Sequence, residues 1–473
     1  MSSSRGVLTD QAGRGRPHPS GSASDDNAAD VRAGARDSSK IRQQAPRLLT
    51  RPPGPESTPV ARRGLWHHRD FRRLWGGQTV ALLGSRVTEL ALPLTAIVLL
   101  DASPAQLGFL NAAQYLPVLC VTLFAGVIAD RVRRRPLMIG ANLGRAAILT
   151  VVPLLAWLGG LSVGALCAVA FATGVLTAQF DVAYQAYLPS LVSKEQLVEG
   201  NSKLQGSRSV AESAGQGLGG TLIQVLTAPF AILVDCLGYL VAAVALLRIR
   251  TPEERPARAG ARRSVRKDIA EGLRMTLRSR LLRVIMLHAS WYNLLWDVVL
   301  VVFPLYAIRV LGLGPAGLGL VVAAGSVGAL GGSLAARGLG ERLGTGPAMV
   351  LGMAVASAAT LLVPLAPNAG RGVGLAVLVC GYVLNGAGIA VFNIHSIALR
   401  QATVPVELIG RVSATFRFVT WAVIPAGGLL GGLLAAAVGL RATLLVTAVG
   451  LSAGALAFVF SRTARQATGG RTA

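Results

Sequence analysis

Apolar runs of twenty-odd residues, each ended by a cluster of charge or by Gly and Pro, recur from residue 74 to residue 461. A helix rising 1.5 Å per residue needs about 20 apolar residues to cross a bilayer. Twelve runs qualify: 74–100, 105–128, 137–158, 163–188, 205–226, 229–248, 283–308, 314–336, 346–366, 373–399, 411–437 and 440–461. The pattern predicts an all-α polytopic membrane protein. Its widest break, residues 249–282, is a basic connector ending in an amphipathic stretch, and it divides the spans six and six. The expected organisation is a tail at 1–64, a first half at 65–248, the connector, a second half at 283–462 and a tail at 463–473. The first tail is rich in Ser, Gly, Pro, Asp and Arg and has no apolar block, so it is expected to be disordered. With no signal-peptide segment, the first span is expected to direct insertion.

The halves repeat. An offset of 211 superposes Pro93 on Pro304, Pro104 on Pro315, and "DRVRRRPLM" (130–138) on "ERLGTGPAM" (341–349). An offset of 212 places Asp181 on Asn393, Glu195 on Glu407, and Gly219-Gly220 on Gly431-Gly432. Internal duplication of this kind is how many secondary transporters are built, with the substrate site near mid-membrane between the halves.

Composition agrees with the pattern. Charged residues make up 14% of the chain and the mean hydropathy is +0.55, whereas soluble domains carry about 25% charged residues. A net charge of +24 would suggest nucleic acid in a soluble protein. Here the arginines sit in alternate loops, so no nucleic-acid partner is expected. Arg69, Arg72 and Arg73 precede the first span, Arg131 to Arg135 follow the second, the connector follows the sixth, and Arg462 and Arg465 follow the twelfth. The opposite loops hold only Arg309, Arg371 and Arg441. The positive-inside rule then places both termini and the connector in the cytoplasm of a plasma-membrane protein. Cys120, Cys167, Cys236 and Cys380 lie inside apolar runs at no metal spacing, so neither a disulfide nor a metal is expected. No G-x-x-x-x-G-K-[ST] loop is present, which argues against an ATP-driven pump; no cofactor and no enzymatic activity are expected.

"GVIADRVRRR" (126–135) resembles the signature between helices two and three of the major facilitator superfamily, with Arg133 where that family usually has Gly. "GQGLGG" (215–220) resembles the exporters' helix-five motif, with Gln216 in place of Pro, and "PAGGLLGG" (425–432) looks like its echo. Residues 70–462 as a whole resemble the bacterial branch with macrolide-type and enterobactin-type exporters. The resemblance implies a major facilitator fold, alternating access, and a cavity lined by helices one, four, seven and ten. It also suggests a conformational latch of Gly126, Asp130 and Arg131, where the carboxylate faces a helix N-terminus. The alternative for these charges is that they only set topology.

Ionisable groups at bilayer depth cost about 2.5–3.5 kcal/mol on insertion scales, so they face partners or a wet cavity. On the four cavity-lining helices lie Arg86, Glu89, Asp181, Asp297, Asn293, Asn393 and His395; Arg208, Glu212, Asp235 and Arg417 lie on others. Glu89 and Asp297, then Glu212, are the proton-coupling candidates. Arg86, Asp181, Tyr184, Asn293, Trp296, Asn393 and His395 are the cavity candidates. Tyr115, Trp291 and Tyr292 are further aromatics that either line an apolar pocket or anchor at the interface. Asp297 is the repeat counterpart of Arg86 and is expected to pair with it, which makes Glu89 the first choice as carrier; Asp181 and Arg208 are expected to pair likewise. His395 has the plainer alternative of bonding a backbone carbonyl. Gly215, Gly219, Gly220, Gly431 and Gly432 are read as close-packing surfaces. The leading function is a monomeric, proton-coupled exporter of an amphipathic small molecule, such as an antibiotic or a siderophore-like metabolite. A proton-coupled nutrient importer and a non-transporting sensor or scaffold are the alternatives.

Overall fold

Lipid offers no hydrogen bonds to a backbone, so each apolar run closes its own N–H and C=O groups as a helix. The computed structural model describes residues 65–129, 133–193, 196–253, 265–366 and 371–460. The first half contains α1 (Arg69–Leu94), α2 (Pro104–Ala129), α3 (Arg134–Trp157), α4 (Val163–Leu191), α5 (Leu197–Leu226) and α6 (Ala228–Leu247). The connector contributes α7 (Val265–Arg278). The second half contains α8 (Arg280–Leu305), α9 (Pro315–Leu343), α10 (Thr345–Ala359), α11 (Leu362–Leu365), α12 (Arg371–Thr403), α13 (Val406–Ala422), α14 (Ile424–Val438) and α15 (Leu440–Phe460).

Two spans of the second half are broken by proline, which lacks an N–H and clashes with the carbonyl four residues earlier. Pro364 ends α10 at Thr360, and Pro425 separates α13 from α14 at Val423. Each broken pair still forms one span. Among the described residues, ten helical runs are long and apolar enough to cross a membrane; α2 and α5 complete the twelve by position. The polarity of α5 comes from Glu199, Lys203, Arg208 and Glu212.

The duplication is written into the backbone. α1 and α8 each pass a proline and finish in a five-residue π-helical segment, Thr95–Leu99 and Tyr306–Val310, at the same offset of 211. Asp101 (φ 46°) and Thr227 (φ 66°) adopt the left-handed conformation where the second half uses Gly312 and Gly439. A side chain there costs about 1–2 kcal/mol. For Asp101 the gain is a contact across the halves: Arg309 donates to its Oδ1 at 2.6 Å and to the Ala102 carbonyl at 2.9 Å.

Within the first half α1 packs on α5 and α6, and α4 on α2 and α3; the second half repeats this with α8 on α14 and α15, and α12 on α9 and α10. The halves meet through α2 with α14 and α5 with α9. At each seam a pair of glycines divides its work. Gly219 lies against Val87 of its own half, while Gly220 lies against Pro315 and Gly319 of the other. Gly431 lies against Val298 of its own half, while Gly432 lies against Pro104 and Gly108 of the other. A Cβ on Gly220 would sit 2.7 Å from the Pro315 carbonyl oxygen, and one on Gly432 would sit 2.6 Å from that of Pro104. Only glycine permits that approach.

These contacts lie at the helix ends remote from the connector, called here the far side. The apolar core on that side is continuous across both halves, joining Leu94, Leu107 and Ile232 to Val302, Tyr306 and Leu444. On the connector side the core splits in two. One cluster (Phe71, Met138, Phe180, Tyr187) belongs to the first half and another (Ile285, Met353, Phe392, Phe458) to the second. The structure is therefore closed on the far side and parted on the connector side.

Helix ends on the connector side are capped by charge. Asp70 Oδ2 accepts from the N–H groups of Arg250 and Thr251 and from the Thr251 hydroxyl, tying the start of α1 to the chain leaving α6. Glu253 caps α3, accepting from the N–H groups of Arg134 (2.6 Å) and Arg135 (3.1 Å). Arg135 in turn donates to the carbonyls of Leu246 and Leu247 at the end of α6. The connector helix α7 lays Gly272 on Arg411 and Thr415 of α13, and Glu271 pairs with Arg411.

Two outcomes follow from this packing. Glu253→Gln is expected to lower stability by about 1 kcal/mol, as loss of a cap does, seen as an earlier unfolding midpoint in denaturant; an unchanged midpoint would show the cap to be idle. Gly220→Val and Gly432→Val should wedge the far side open. Spin labels at positions 160 and 439 should then move apart, and an unaltered distance would contradict the glycine seal.

Candidate functional site

Arg86 of α1 reaches the centre because Gly215 of α5 leaves room for it: a Cβ on that glycine would lie 2.7 Å from the arginine's own Cβ. The guanidinium donates through Nη1 to Glu89 Oε2 at 2.7 Å and through Nη2 to Glu212 Oε1 at 3.3 Å. Arg208 donates to the same Glu212 oxygen at 3.1 Å. The result is a chain of alternating sign, Glu89–Arg86–Glu212–Arg208, held wholly by α1 and α5. Its Arg86 side chain is 19% exposed and its Arg208 side chain 53%, so the chain runs from packed protein out into the parted space. Ser326 of α9 donates to the Glu212 carbonyl at 3.2 Å, joining this network to the second half.

Asp297 stands apart. It is 2% exposed, on α8, facing Asn111 of α2 and the first turn of α14 at Gly427 and Gly428. Among the described residues it forms no ion pair. The expected pair between Arg86 and Asp297 is therefore not made. Arg86 takes both of its carboxylate partners from its own half, and Asn111 and the α14 backbone wall Asp297 off. The expected pair of Asp181 with Arg208 is not made either, because Glu212 is one turn from Arg208 on the same helix, the favoured spacing for such a bond. Asp181 is exposed on the connector side of α4, among Arg145, Arg208 and Arg417. Tyr115 of α2 lies within electrostatic reach of Glu89, Arg86 and Asp297, between the two groups of charge.

The other sequence candidates disperse. Asn293 donates to the Thr420 carbonyl at 2.8 Å, just before the proline break in its span. Trp296 stacks on Tyr292 and leans on Tyr382. Tyr184 stacks on Phe180, and Asn393 is exposed. His395 is buried, its Nδ1 2.9 Å from the Val391 carbonyl, with its ring against Gly340 of α9. Trp291 is not in the pocket: its Nε1 donates to the Gly450 carbonyl of α15 at 3.0 Å. Asp130 and Arg131 lie outside the described residues, and Gly126 lies in α2. All four cysteines are free thiols. Among the described residues no group of His, Cys, Asp and Glu is placed to hold a metal.

Three polar residues matter here that pattern reading passed over. Asn111 is an amide inside the apolar run of α2. Arg145, with Asn142 one turn before it, is a buried cation in α3. His288 is buried against Phe458, ring centroids 4.5 Å apart. The signal was available for each, a polar residue inside an apolar run.

The comparisons agree with this architecture. The transmembrane secretion effector family profile matches residues 65–468. The MFS-type transporter y4rN of Sinorhizobium fredii is 28% identical over 364 residues, 75% of this chain and 86% of that one. Macrolide efflux protein A of Streptococcus pyogenes is 27% identical over 242 residues, 50% of this chain and 58% of that one. Among solved structures, a bacterial homologue of the human lysosomal transporter Spinster, inward-facing and unoccupied, has a TM-score of 0.66 at 14% identity, covering 86% of this chain and 99% of that one. An inward-facing bacterial homologue of the iron transporter ferroportin has a TM-score of 0.66 at 17% identity, covering 84% and 98%. Twelve helices in two repeated halves, charges gathered between them and a matching profile over most of the length lead to one conclusion. The chain belongs to the transmembrane secretion effector family of major facilitator (MFS-type) membrane transporters.

Proposed function

We propose that the protein is a proton-coupled exporter of an amphipathic small molecule, working as a monomer by alternating access in the plasma membrane. Loop arginines favour a cytoplasmic connector and termini, so the connector side is the cytoplasmic side and the parted state is inward-facing. The likeness to macrolide efflux protein A supports export and a bulky, partly apolar cargo. Asp181, Arg208 and Arg417 at the cytoplasmic mouth and Trp296 deeper in are the surfaces such a cargo meets. Gly126, Asp130 and Arg131 are the latch that closes this side when the far side opens.

The observation that carries coupling is the position of Asp297. Glu89 and Glu212 are each bonded to Arg86 within the first half, so both already have a countercharge. Asp297 has no such partner and is built into the far-side seam between α2 and α14. Separating these helices uncovers it to the outside; bringing them together buries it. Covering a charged carboxylate with apolar protein carries a penalty of about 2.5–3.5 kcal/mol, so the seam closes more readily on the protonated acid. Proton entry from outside would thus drive the return to the inward-facing state, and the carrier passes from Glu89 to Asp297.

In proteoliposomes with an imposed pH gradient, Asp297→Asn should bind cargo but lose gradient-driven transport. Glu89→Gln should keep gradient dependence at a reduced rate. If Glu89→Gln abolishes coupling and Asp297→Asn preserves it, the assignment is reversed. Orientation has its own check: a Gly260→Cys variant should resist a membrane-impermeant thiol reagent applied to intact cells, and labelling there would invert the topology.

A further inference from the structure

The first half holds a second polar group, on the side of α1 away from the space between the halves. Asp235 of α6 is 1% exposed, Asn142 of α3 0%, Arg145 of α3 4% and Thr88 of α1 6%. The Arg145 guanidinium is clamped between two rings, 4.1 Å from the Tyr239 centroid and 4.5 Å from that of Phe180. It donates to the Asn142 side-chain oxygen and to the Thr177 hydroxyl. It is the cation acting on Asp235, yet among the described residues the two form no ion pair. Thr88 turns its hydroxyl to the Asp235 carboxyl as its hydrogen-bonding neighbour. Among the described residues, three further buried polar atoms of this group have no hydrogen-bond partner: Asp235 Oδ1, Asn142 Nδ2 and Arg145 Nε. Buried polar groups are almost always satisfied by protein or ordered water, and a polar recess with several such groups is where a water is retained.

The fold does not require this group. Asp235 corresponds to Thr447 in the second half, Tyr239 to Leu451, Phe180 to Phe392, Asn142 to Met353 and Arg145 to Ala356. Those counterparts are equally buried, and Thr447 simply donates to the carbonyl one turn back at 2.7 Å. The same packing is therefore achieved without charge. A buried charge that packing does not need costs stability and is retained for another reason.

We propose that Asp235, Thr88, Asn142 and Arg145 form a proton- and water-binding site inside the first half, distinct from Asp297 and from the central ion chain. A water there accepts from Arg145 Nε and Asn142 Nδ2 and donates to Asp235 Oδ1. Uptake adds one proton to an Asp235 carboxylate oxygen; no other bond changes. The groups facing Asp235 are few. α3 supplies Arg145, with exposed Asp181 of α4 beyond it; α6 itself supplies Cys236 and Tyr239; α1 supplies only Thr88. Arg86 and Glu89, also on α1, turn to α5. The wall over the site is the α1 backbone at Gly84, where a Cβ would lie 2.7 Å from the Asp235 Cα. Tilting of α1 against α6 would therefore open and close access, independently of the cargo and of the carrier named above.

The test is infrared difference spectroscopy on the purified, lipid-reconstituted protein, titrated between about pH 5 and about pH 9. The expected result is a carboxyl C=O band that titrates, shifts in D2O and is lost in Asp235→Asn. The double variant Arg145→Ala/Asp235→Thr, which copies the second half, should fold with a wild-type thermal transition and lack the band; Thr88→Val should move its midpoint. Asp297→Asn should leave the band intact whatever it does to transport, which separates this site from the carrier. No titrating band dependent on Asp235, or a double variant that cannot fold, would overturn the proposal.

Discussion

Everything else in the molecule depends on how closely two helices from different halves approach without side chains between them. The far side is held by backbone against backbone at Gly220 with Gly319 and Gly432 with Gly108. Such contacts are strong only at short range, because dispersion decays steeply with distance. They are therefore made or lost together. A seal of this kind suits a protein that must switch between two arrangements rather than deform gradually. The division of labour in each Gly-Gly pair, one residue for its own half and one for the opposite half, means that internal packing and seam are set by adjacent positions on one helix.

Charge is distributed to match. The arginines and glutamates of α1 and α5 neutralise one another inside a single half, so moving that half as a body leaves their bonds intact. Asp297 is placed where motion must change its surroundings, between α2 on one side and α8 with α14 on the other. Groups satisfied within a rigid body and groups satisfied only across a moving boundary have different physical roles, even when they lie at similar depth.

The twelve spans and their duplication were legible because they depend on local quantities: run length, charge at the ends, and the recurrence of Pro93 as Pro304 and of Gly219-Gly220 as Gly431-Gly432. The helix breaks were legible in principle, since Pro364 stands four residues past the break at Thr360 and Pro425 two past the break at Val423. Which partner Arg86 selects was not legible. Repeat symmetry suggested Asp297, but symmetry gives depth and not azimuth. Glu89, three positions away on the same helix, and Glu212, one turn before Gly215 on α5, were nearer. Arg145 stood out as a cation in an apolar run, but the rings that enclose it, Phe180 and Tyr239, come from distant helices and only the fold brings them together.

One consequence of the capping at the connector side concerns what the covalent link between the halves is for. Asp70 and Glu253 finish the ends of the first half before residue 254, and Ser279 caps α8 on its own. On the connector side these termini are thus closed without a contribution from the opposite half. Two separately translated polypeptides, divided between Glu253 and Val265, would each keep these connector-side caps and one face of both glycine seams. Expressed together in one membrane, they keep both faces of each seam, and the covalent link across residues 254–264 adds fixed stoichiometry and local concentration.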